Sequence, residues 1–124
     1  MKYLCLAWYD VEAFKAMPDA EFKALVSQCP PHDAALRASG RLVAQGSLAD
    51  VDASTSIRPR HGKPMVTDGP FVETKEQVGG FFIVEAESRE EAIRIASLHP
   101  AARIGEAAGW GIEVRPIEML EQSA

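Results

Sequence analysis

No apolar stretch in this sequence approaches the roughly 20 residues that a membrane-crossing helix requires, so no membrane association is expected. Cysteine is scarce. Two residues, Cys5 and Cys29, cannot build a disulfide framework and show no Cys/His spacing of the zinc kind. They read as free thiols of a protein in the reducing cytoplasm. The three histidines are scattered, with no Asp or Glu at ligand spacing, which argues against a bound metal. No Gly-rich phosphate cradle, Cys-His arrangement or nucleophile elbow is present, and no cofactor is expected. Positive charge is also short: 13 Lys and Arg stand against 18 Asp and Glu, for a net charge of −5. The single basic concentration, "IRPRHGK" at residues 57–63, is too short for the several phosphate contacts of nucleic-acid binding. The opening "MKYLCLAWYDVEAF" lacks a small-residue cleavage site and carries Asp10 and Glu12, so it reads as a first strand rather than a signal peptide.

What is present suits one domain over residues 1–124, since 47% hydrophobic and 25% charged residues are ordinary globular values. Residues 2–9 are apolar on both alternating faces, as are residues 79–85. Both read as strands covered on two sides. Phe22, Leu25, Val26 and Cys29 make an amphipathic helical stripe behind Pro18 and Asp19, broken at Pro30 and Pro31. A second helical piece fits residues 31–39, with Gly40 as its stop. Residues 41–47 form a strand of mixed faces, and residues 55–58 and 64–67 two short extended pieces joined by the turn "PRHG". "ESREEAIRIASLHP" is a helix with a capping box at Ser88 and Glu91, ended by Pro100. Residues 111–117 alternate as a last strand, which Pro116 makes an edge.

Two strand-helix-strand units of this length predict an α+β, ferredoxin-like split βαβ sandwich with an extra small hairpin. The sheet is antiparallel, with the two doubly apolar strands at its centre. Two helices cover only one face of such a sheet. The second face then needs a cover, and a second copy of the chain is the economical one, giving a homodimer.

A dense polar cluster precedes the third main strand in "VTDGPFVETKEQVGGFFIVEA", residues 66–86. This run resembles the signature of the DGPF proteins, a branch of the YciI-like (YCII-related) family, and "ARIGEAAGWGIEVRPI" resembles their C-terminal strand. The resemblance runs over nearly the whole chain in order. It implies a ferredoxin-like fold that dimerises face to face into an α/β barrel. Some YciI-like relatives are enzymes acting on small ring compounds with a His/Asp pair in a pocket, which implies a small organic ligand between the sheet faces. DGPF proteins are also associated with alternative sigma factors, which implies a non-enzymatic accessory module with a regulatory protein partner as the other reading.

In "PPHDAALRASGRLVAQG", His32 falls where the resemblance places the catalytic histidine. Its helix-start position disfavours the charged imidazole and suits a general base, while the plain reading is a half-exposed surface residue. The family's acid precedes a proline after the second helix, where this chain has His99-Pro100. Asp68 is the replacement acid for His32, or simply the turn-former before Gly-Pro. Glu73 and Lys75 are expected near the barrel mouth. Arg115 shares a face with Glu113 and is either an anion clamp or a partner in a strand-to-strand ion pair. His99 is read as a capping residue at a helix C-terminus, where a charged imidazole is favoured. His61 is read as exposed.

Overall fold

The computed structural model describes residues 1–123, and the elements below are those of the described residues. The chain opens on β1 (Lys2–Asp10) and runs through α1 (Val11–Ala16), α2 (Asp19–Val26) and α3 (Cys29–Ala38) into β2 (Leu42–Ser47). The hairpin β3 (Thr55–Arg60) and β4 (Lys63–Asp68) leads to β5 (Glu76–Glu85), α4 (Arg89–Ala96) and β6 (Gly111–Pro116). The main sheet has the order β2-β5-β1-β6 and every pairing in it is antiparallel. The two doubly apolar strands are therefore central, as their composition requires, because only a central strand meets apolar neighbours on both sides.

Alternation divides the sheet into two faces. Tyr3 and Cys5 of β1 and Phe82 and Val84 of β5 turn towards Leu36 of α3 and Ala92, Ile95 and Ala96 of α4, forming one buried cluster. Leu4 and Leu6 turn the other way, opposite Ile83 and Phe81, and are only partly buried. The central strands are apolar on that second face, and neither α3 nor α4 contributes a buried core residue to it.

Three local features differ from the sequence reading. Helix α1 was not expected; it starts because the carboxylate of Asp10 accepts the Ala13 N–H at 3.0 Å, an N-cap hidden in the last residue of a strand. Helix α2 stops at Val26, and Cys29 opens α3 instead, since Pro30 and Pro31 fit a first turn, where no N–H is needed. The hairpin turn is tighter than "PRHG": Pro59 and Arg60 still pair with Pro64 and Lys63. Within this turn His61 and Gly62 carry positive φ angles, 51° and 78°. The capping box holds in a shifted form. Ser88 Oγ accepts the Glu91 N–H at 3.1 Å, while the Glu91 carboxylate accepts from Glu87 N–H at 3.4 Å and pairs with Arg41 at 3.1 Å.

Candidate functional site

A cavity of about 670 Å³ opens where the ends of β1, β2 and β5 meet α1, α2 and α3. Its floor depends on a register shift. Between Ala7 and Trp8, β1 passes over an extra residue of β5, Gly79, and the Tyr9 ring lies against that glycine. A Cβ at Gly79 would stand 3.0 Å from the ring, a tight contact that glycine avoids. Tyr9 then stacks edge-on with Phe14 at 5.8 Å between ring centroids, and Phe14 with Phe22 at 5.3 Å. This aromatic row makes one wall. Trp110 adds to the lining, its ring lying over Gly105, which is left-handed at φ 81°.

Polar groups enter from three sides. Cys29, Asp33 and Arg37 lie four residues apart on α3 and so share one helix face, which lines the cavity. Gln45 and Ser47 come from β2, and His99 from the turn after α4. His99 is held by two contacts. Its ring stacks on buried Phe82 at 4.7 Å with an interplanar angle of 3°, and it caps the 3₁₀ turn Pro100–Ala102 by accepting the Ala101 N–H at Nδ1, 3.0 Å away. Burial pushes its pKa below the ordinary value, with the nearby Asp33 carboxylate opposing in part. His99 is thus a cap, as expected, but of the following turn rather than of a helix C-terminus. It is also neutral rather than charged, because burial outweighs the one facing carboxylate.

The neutral ring with Nδ1 accepting carries its proton on Nε2. No protein acceptor among the described residues takes that Nε2–H. Cys29 is part-buried, donates weakly to Leu25 O at 3.8 Å, and has its pKa raised by burial and then by Asp33. Cys5 is fully buried and pushed up to about 12. Neither thiol is activated, since the thiolate is the reactive form.

The residues singled out from sequence lie elsewhere. His32 is half-exposed in the first turn of α3, and Asp68 is exposed at the end of β4 opposite Thr55. Among the described residues no hydrogen bond joins them, and neither lines the cavity. Glu73 is exposed in the loop before β5. Lys75 stands 3.6 Å from Asp10, whose carboxyl is held low first by the Ala13 N–H and only then by Lys75. Arg115 is engaged by Glu113 at 2.7 Å, and Glu113 also accepts from Trp8 Nε1 at 3.0 Å. Both lie on the sheet face away from the helices, opposite Leu4 and Leu6. Parts of the segment before β5 are tied into the fold: Arg58 stacks on Phe71 at 3.7 Å and donates to its carbonyl at 3.1 Å, while Lys75 pairs with Asp10 of β1.

Asp33 was missed although it neighbours His32. One residue along a helix is a turn of about 100°, so the two point to different faces. The i, i+4, i+8 spacing of Cys29, Asp33 and Arg37 was the signal available. Among the described residues no three His, Cys, Asp or Glu side chains stand together as a metal site, and no helix is long and apolar enough to cross a membrane.

A family model described as YCII-related domain matches residues 1–118. The chain is also 38% identical over 58 residues to uncharacterized protein R00369 of Rhizobium meliloti (strain 1021). That match spans about half of each protein, 47% of this chain and 47% of the relative.

Proposed function

Since the chain belongs to the YCII-related domain family, we propose that it is a small-molecule-binding protein whose site is the cavity beneath α2 and α3. The observation that carries this is the convergence of Asp33, His99, Gln45 and Ser47 on an aromatic-walled space of about 670 Å³. Ligand sites occupy roughly 300–1,000 Å³ and combine apolar walls with a few placed polar groups. His99 does not suit proton abstraction, because its Nδ1 lone pair is already taken by Ala101. If turnover accompanies binding, Asp33 is the group with lone pairs to accept the proton.

The protein acts as a homodimer in this reading, with the faces bearing Leu4, Leu6, Phe81 and Ile83 packed sheet to sheet into an α/β barrel. A second reading is a dimeric accessory module in alternative sigma-factor regulation. It is favoured by the hairpin, where the paired Ile57 and Val66 are 61% and 63% exposed beside exposed Phe71. In that case Ile57→Lys combined with Val66→Lys removes the regulatory effect and leaves ligand binding unchanged.

The binding reading is tested by thermal stabilisation with a panel of small aromatic acids, phenols and lactones. A ligand at 100 times its Kd stabilises the native state by about 2.7 kcal/mol. At least one member is expected to raise the Tm, with the response lost in Asp33→Asn and kept in His32→Ala. A panel without effect, or a response that survives Asp33→Asn but not His32→Ala, would contradict the assignment of the site.

A further inference from the structure

The neutral ring of His99 has a single polar group left to offer the cavity. Nδ1 accepts from Ala101, one ring face lies on Phe82, and the remaining Nε2–H has no protein acceptor among the described residues. A donor in this position is costly to leave unpaired once a ligand displaces water, so the ligand that fits must bring an acceptor oxygen. The formal charges of the lining narrow the choice. Asp33 and Asp50 face a single cation, Arg37, leaving the wall net negative beside a neutral imidazole. A ligand carboxylate would meet that field unfavourably. Aromatic rings, those of Trp8, Tyr9, Phe14, Phe22, Phe81 and Trp110, supply much of the remaining wall.

We infer that the cavity takes a neutral ring compound bearing a carbonyl oxygen, and that this oxygen accepts a hydrogen bond from His99 Nε2–H. The inference rests on the cavity being the ligand site, and goes beyond it by assigning the ligand class and making His99 a fixed donor rather than a base. The donor is prepared before the ligand arrives, since the Ala101 N–H selects the tautomer and the Phe82 ring selects the plane.

Three probes of one size separate the possibilities: 4-hydroxyacetophenone, 4-ethylphenol, which replaces the carbonyl by CH₂, and 4-hydroxybenzoate, which replaces the ketone by a carboxylate. Binding is followed at the Trp110 indole N–H by NMR. The ketone is expected to bind about tenfold more tightly than 4-ethylphenol, the size of one well-made hydrogen bond, and more tightly than the acid. In His99→Asn the ketone's advantage over 4-ethylphenol disappears, while the fold is retained because Asn also accepts the Ala101 N–H as an N-cap. Ketone and ethyl compound binding equally, both moving Trp110, would overturn the role of His99 and leave the cavity standing as a site. None of the three binding would remove the cavity reading and this inference with it. Should His99→Asn fail to fold, the imidazole ¹⁵N shifts of the unaltered protein decide: a proton on Nε2 is expected, and a proton on Nδ1 overturns the inference.

Discussion

His99 shows how a residue can be identified from sequence and still be misread. Its place at the C-terminal end of a helix marked it as a cap, but its charge state depends on Phe82 and Asp33, which are remote in sequence and meet it only in the fold. The consequence is a pH dependence of definite sign. The folded-state pKa of His99 is depressed below its ordinary 6.5, so the unfolded chain binds the proton more readily. The contribution of neutral His99 is therefore full above about 6.5 and is lost progressively as pH falls through the lower folded-state value. The carboxyl pKa values lowered by partners, those of Asp10, Glu85 and Glu113, act in the same direction but below their ordinary range. Denaturant unfolding between pH 7 and pH 5.5 isolates the histidine. The unaltered protein is expected to lose more stability over this interval than His99→Asn, and equal slopes would show that the ring is not buried neutral.

At the scale of elements, the strands and α4 were legible because their signals are local. Period-two apolar runs marked β1 and β5, and Ser88 marked the start of α4 three residues ahead of Glu91. What was not legible was how α1, α2 and α3 divide the segment between β1 and β2. Asp10 both ends a strand and caps a helix, and the helix expected to begin at Pro31 begins at Cys29, which the apolar stripe had assigned to the preceding helix. The cap of α4 gives a direct measure of such a signal. Removing it in Ser88→Ala leaves the Glu91 N–H without its 3.1 Å acceptor, at an expected cost of about 1 kcal/mol in chemical denaturation. Glu91 itself should matter through Arg41, which ties α4 to the start of β2 at 3.1 Å. A Ser88→Ala midpoint unchanged within error would mean that water replaces the cap at no loss.

For the molecule as a whole, the sheet order followed from counting which strands are apolar on both faces, a property that alternation turns directly into a central position. The ligand site did not follow, because its groups come from α3, β2 and the turn after α4. No linear motif spans those three. The cavity reaches Trp8 and Phe81 but not Leu4, Leu6 or Ile83, which stay available for a second copy. A dimer through that face should bury at least roughly 1,200 Å². Sedimentation equilibrium at micromolar concentration is expected to return twice the chain mass, and Leu6→Asp, in the middle of the apolar face, to return one. A wild-type monomer would leave Leu4, Leu6, Phe81 and Ile83 without a cover and end the barrel proposal.

The cavity and the apolar sheet face are separately observable. Trp110 and Ala101 line the cavity, as does Trp8, whereas Leu4 lies opposite Ile83 and outside it. Chemical-shift mapping with the best ligand of the thermal screen therefore tests the central claim most directly. The cavity account predicts that the Trp110 indole and the Ala101 amide move together, with the Leu4 methyls unchanged; movement of the Leu4 methyls with Trp110 and Ala101 still would contradict it and put the ligand between the sheet faces.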